Sequence, residues 1–192
     1  LATSAAADVS AKDIWNDWKS YISSCGYAVD AQEAMSGNTL AITDLAMSVP
    51  MPDGAGSFAL TMSEVDFVEN GDGTVNVVFP DVMPMRFAAS GPEGEAVSGS
   101  LDYRMQGMNM RASGDASNVT YDYAADLMGI VLTELTVDGE TFASDALKAE
   151  FTINNSSGQS VMEPGDLRKI SQNMIAGETT YQINYQDPDS SD

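Results

Sequence analysis

Apolar and polar residues follow two different periods along this chain. Over residues 10–25, SAKDIWNDWKSYISSC, the residues Ile14, Trp15, Trp18, Tyr21, Ile22 and Cys25 recur at the spacing of one helix face. Lys12, Asp13, Asn16, Asp17, Lys19 and Ser20 fill the opposite face. Ser10 and Asp13 have the spacing of a capping box, in which each side chain satisfies a free backbone N–H at the helix start, and Gly26 is placed to end the helix. Both tryptophans of the chain lie on this stripe, so the pattern predicts an amphipathic helix that covers a sheet, with Cys25 as a small buried hydrophobe.

Beyond Gly26 the period falls to two. Residues 27–34 and 38–49 read as strands. In the second, Leu40 and Ile42 share one parity while Leu45, Met47 and Val49 share the other, which predicts a bulge at Thr43–Asp44. Phe58, Leu60 and Met62, then Val65 and Phe67, repeat the slip near Ser63–Glu64. The run 50–54 breaks the sheet, and Asn70, Gly71, Asp72 and Gly73 form a hairpin turn. Residues 82–88, 96–105, 108–112, 119–123, 127–137, 147–153 and 177–185 continue as strands. A polar loop is expected at 154–158 and a short helix at 166–176. The fold class is therefore mainly β: an antiparallel meander forming a curved sheet or open barrel, with one N-terminal amphipathic α-helix packed on it. Residues 8–185 make a single β-rich domain, 1–7 a leader and 186–192, QDPDSSD, an acidic tail or linker.

Composition narrows the function. A chain of 192 residues buries roughly 70% of its unfolded surface and needs no disulfide or metal to hold a core. It has one cysteine and no histidine, so nucleophile systems built on histidine and histidine zinc sites are excluded. Phosphate-loop, nucleophile-elbow and Cys-x-x-Cys motifs are absent. Carboxylates are too numerous for a pair such as Glu93 and Glu95 to mark a catalytic site. Asn70, Asp72 and Thr74 lack the glutamate that would complete a calcium loop. The expectation is a non-enzyme with no cofactor and no metal.

With 29 acidic against 8 basic residues, the net charge of −21 repels phosphate backbones and excludes nucleic acid as a partner. No apolar run of about 20 residues spans a membrane. The opening LATSAAA resembles the small-residue region before a signal-peptidase cut, so a periplasmic, exported location is expected.

The 12 methionines are the remaining signal. Flexible thioethers fill irregular cores and also line surfaces that accept apolar ligands of varied shape. The candidate ligand-binding residues are Trp15, Trp18, Met62, Met105, Met108 and Met110, with Arg104 and Arg111 as a clamp for an anionic head group.

The stretches DIWNDWKSYISSCGY, SGNTLAITDLAMSVPMPD and VENGDGTVNVVFPDVMPM resemble an uncharacterised family of exported alphaproteobacterial proteins, defined only as a domain of unknown function. The likeness covers roughly residues 8–85 and implies an exported location, with no catalytic residue to carry over. A helix followed by a long meander also resembles the groove-shaped lipid carriers of the bacterial envelope. Two functions follow as expectations. One is a binding protein for a lipid or similar hydrophobic small molecule. The other is an accessory subunit held by an envelope protein partner, with no ligand of its own.

Overall fold

The computed structural model describes residues 8–52, 56–91, 93–115, 117–143, 146–163 and 168–185. The expected leader and acidic tail lie outside them. Among the described residues, one helix, α1 (Ala11–Ser24), precedes twelve strands. These are β1 (Ala28–Ser36), β2 (Thr39–Pro50), β3 (Ser57–Glu69), β4 (Val75–Val78), β5 (Val82–Ser90) and β6 (Ala96–Gln106). There follow β7 (Asn109–Asp115), β8 (Asn118–Val137), β9 (Glu140–Ala143), β10 (Leu147–Glu163), β11 (Lys169–Ile175) and β12 (Thr179–Tyr185).

The helix forms as the stripe requires. Ser10 accepts a hydrogen bond from the Asp13 backbone N–H at 3.1 Å, and the Asp13 carboxylate accepts from the Ser10 N–H. Gly26 closes the C-terminus with φ of 90°, a left-handed conformation that costs a residue without Cβ little. Cys25, contrary to expectation, is exposed: it is the C-cap, and the helix ends before that position turns toward the sheet.

All the strands belong to one antiparallel sheet, which is open. Its order runs from β1 through β2 and β3 to β8, β10 and the far edge, where β11 and β12 both pair with β10. Between β3 and β8 the sheet is built twice, side by side along the strand direction. One row is β4 against β7, the other β5 against β6.

A transverse seam explains this doubling. On β2 the pairing runs from Thr43↔Glu64 to Leu45↔Met62, and Asp44 between them has φ of 52°. On β10 the pairing runs from Asn154↔Leu127 to Ser156↔Ala125, and Asn155 between them has φ of 49°. Asp and Asn are the side chains that enter the left-handed region most readily. At the same level β4 gives way to β5, β6 to β7, and β11 to β12. Apolar parity changes across the seam, yet Leu40 and Ile42 on one side and Leu45 on the other share one core. The slip therefore keeps apolar side chains on one face of the sheet.

Two expectations fail at the seam. The separate strands expected at 119–123 and 127–137 are one strand, β8. The polar loop expected at 154–158 is the middle of β10, where Ser156 is buried and its hydroxyl donates to the Met128 thioether at 3.2 Å. The helix expected at 166–176 is β11, since Lys169–Ile175 pairs in register with β10 and Ile170, Gln172 and Met174 alternate on one face.

Helix α1 covers the half of the inner face that carries β4, β7 and β11. Its Ile14 and Trp15 are buried among Leu40, Ile42, Phe67 and Val75. The Asp17 carboxylate and the Arg168 guanidinium, both largely buried, tie the helix to the start of β11 at 2.5 Å. Arg168 also stacks on Tyr21, 4.8 Å from the ring centroid.

Candidate functional site

Across the seam, no helix among the described residues lies over the inner face beside β5, β6, β10 and β12. Antiparallel register places directly paired residues on one face, so its content follows from the pairings. One row is Met83, Tyr103, Ile130, Phe151 and Tyr181. The next is Met85, Leu101, Leu132, Ala149 and Ile183. The outward residues between them are mostly polar, Asp102, Arg104, Glu150, Thr152 and Gln182, with Val131, 8% exposed, buried between Asp102 and Glu150. The alternation is mainly apolar on one side and polar on the other, as in a sheet with two unlike faces. The apolar face fades into solvent toward the edge, with Ile130 44%, Phe151 42% and Tyr181 81% exposed.

Where the helix meets this face lies a cavity of about 300 Å³. Trp18 forms one wall, stacked on Phe79 at 6.5 Å and set edge-on to Phe67 at 5.2 Å. Met105, Met108, Met110, Met128, Met162 and Met174 supply much of the rest, with Tyr103, Tyr121 and Tyr123. The Trp18 indole N–H donates to the Tyr121 hydroxyl at 2.9 Å, and Gln172 donates to the Tyr123 hydroxyl at 3.0 Å. Burial pushes the Tyr121 hydroxyl up to about 12 and raises that of Tyr103, so both stay uncharged at neutral pH.

The expected residues divide accordingly. Trp18, Met105, Met108 and Met110 come together around the cavity. Trp15 is 1% exposed in the core against Phe67 and has no access to it. Met62 packs against the core from β3, apart from the cavity lining. Arg104 and Arg111 do not form an anion clamp. Each alternates with an inward residue, Met105 or Met110, and so points to the outer face, where Arg104 meets Glu150 at 3.4 Å and Arg111 meets Asp72 at 2.5 Å. Asp72 is also bonded by the Thr74 hydroxyl and backbone N–H, the Thr74 hydroxyl being the main cause of its lowered pKa; Arg111 lowers it further. The stretch 70–74 is thus a hairpin turn fastened to β7.

Sequence reading missed Phe79, Tyr103, Tyr121, Tyr123, Met128, Met162 and Met174. The available signal was parity: Tyr103 keeps step with Met105, and Tyr121 and Tyr123 keep step with each other. Among the described residues no group of three or more carboxylate or cysteine side chains converges as a metal site, and no helix is long and apolar enough to cross a membrane. No family model, curated protein or solved structure matches the chain.

Proposed function

We propose that this chain is a non-enzymatic, exported binding protein for a lipid or similar hydrophobic ligand. One end of the ligand lies in the methionine-lined cavity beside Trp18, and the remainder lies along the uncovered half of the sheet. One observation carries the reading: a largely apolar cavity adjoins the helix-covered core, and the rows paired across the same face run from Tyr103 and Leu101 to the exposed Tyr181 and Ile183. Removing such surface from water yields roughly 25 cal/mol per Å², and methionine walls adapt to chains of different shape.

The test is titration with an environment-sensitive apolar dye, followed by displacement with a long-chain ester. The reading expects saturable, stoichiometric binding and full displacement. Met108→Glu, at a half-buried position in the lining, is expected to weaken both while the circular dichroism spectrum is kept. Met105→Glu is a poorer probe, because Met105 is 1% exposed and a charge there threatens the fold. A folded protein that binds no dye would end the ligand reading.

A second reading, an accessory subunit of an envelope assembly, is favoured by the edge formed by β11 and β12. Every residue of both strands is exposed, including Ile175 at 74% and Ile183 at 69%, and the far edge has no paired strand among the described residues. A partner strand with alternating apolar residues would continue the sheet there. On this reading, amide exchange of β12 slows only in the assembly and is unmoved by lipid.

A further inference from the structure

The ligand's charge can be read from where the cations are. The chain has eight Lys and Arg residues. Arg86 pairs across the sheet with Thr61 and Ser100, and Arg104 with Gly129, on the outer face. Arg111 faces Asn76 and Asp122, also outward. Lys148 is one residue out of step with the inward Leu147 and Ala149, and bonds Glu150 at 3.1 Å. Lys169 is out of step with Ile170 and lies near Glu163. On the helix, Lys12 is exposed and Lys19 is held by Glu33 at 2.6 Å. Arg168 is engaged by Asp17.

One cation borders the cavity, Arg168, whose guanidinium lies 3.8 Å from the Met162 sulfur. Both of its terminal nitrogens are taken up by the Asp17 carboxylate, so the apolar face offers a head group no cation without a carboxylate partner. Its polar atoms are uncharged: the tyrosine hydroxyls, Ser160 and Gln172 at the cavity. The surrounding protein carries a net charge of −21, which adds repulsion for any anion approaching the groove. A carboxylate or phosphate drawn against this surface would lose water without gaining a partner, whereas an ester or alcohol could use the neutral donors and acceptors.

Resting on the ligand reading above, we infer that the groove selects an uncharged long-chain lipid, an ester or alcohol, and discriminates against fatty-acid and phosphate anions of the same chain. With Met83 buried in the core, the accessible row runs from Tyr103 to Tyr181 across four adjacent strands, about 14 Å at the usual spacing, so the chain lies extended across them.

The experiment compares methyl oleate with oleate as dilute monomers, each displacing the same bound dye, at pH 8 and again near the carboxyl pKa. The ester is expected to bind about tenfold or more tightly than oleate at pH 8, with the gap closing as oleate protonates and ester binding unchanged. Arg104→Ala and Arg111→Ala are expected to leave the ester-to-oleate ratio as it is. Oleate equal to or tighter than the ester at pH 8, or a ratio that rises in either arginine variant, overturns the inference and leaves the ligand reading standing. Failure of both compounds to displace the dye overturns the two together.

Discussion

Replacing Trp18 by alanine probes the contact that both closes the core and walls the cavity. Trp18 is half-buried, and its ring meets Phe67, Phe79 and Tyr121. Truncating a buried Trp costs about 3–5 kcal/mol, and half-burial places the packing loss below the bottom of that range, at about 2 kcal/mol. Loss of the 2.9 Å hydrogen bond leaves the Tyr121 hydroxyl unpartnered in a side chain only 3% exposed, adding about 1 kcal/mol. The expected destabilisation is about 3 kcal/mol, or roughly 6–12 °C in Tm for a domain of this size. Trp18→Phe retains most ring contacts and drops the donor, so about 1 kcal/mol is expected. Urea unfolding followed by circular dichroism measures both. A midpoint for Trp18→Ala equal to wild type would refute the packing, since it would mean that the helix does not rest on Phe67 and Tyr121.

Other consequences are equally direct. The folded-state pKa of Tyr121 is raised from 10 to about 12, so its contribution, about 2–3 kcal/mol, is present in full below pH 10 and is lost as pH rises toward 12; Tyr121→Phe is expected to flatten that part of the stability curve. Asp17→Asn leaves Arg168 without its charge partner and is expected to cost about 1–3 kcal/mol in urea unfolding, with Arg168→Met partly restoring the loss in the double variant. Asn155 stands at φ of 49° within β10, so Asn155→Val is expected to destabilise by about 1–2 kcal/mol and Asn155→Gly by far less; equal effects would contradict the seam geometry.

What could be read from the sequence depended on whether side chains advertised their face. The helix was legible because the capping pair, the apolar stripe and Gly26 agree on one register. The slip in β2 and β3 was legible because strong apolar residues stand on both sides of it, at Ile42 and Leu45 and at Met62 and Val65. The same seam in β8 and β10 was hidden by Ala124, Ala125, Asp126, Asn154, Asn155 and Ser156, which carry little apolar signal. There the strand continues because neighbouring strands supply its backbone hydrogen bonds, and tertiary context overrides a local run that favours turns. The arginines mark the opposite failure. Their nearness to methionines in sequence suggested a shared site, yet adjacent strand residues such as Met110 and Arg111 must face opposite sides. Period two alone was enough to separate them.

Tryptophan quenching by a brominated acyl chain tests the ligand site most directly, because bromine quenches an indole only at short range. Trp18 lines the cavity, while Trp15 is 1% exposed behind it. The account predicts that dibrominated methyl stearate quenches the Trp18 share of the emission in saturable fashion, and that Trp18→Phe, still folded, loses the quenching. No quenching of the wild-type protein at saturating ester, or quenching that persists undiminished in Trp18→Phe, would contradict a ligand site between the helix and the open half of the sheet.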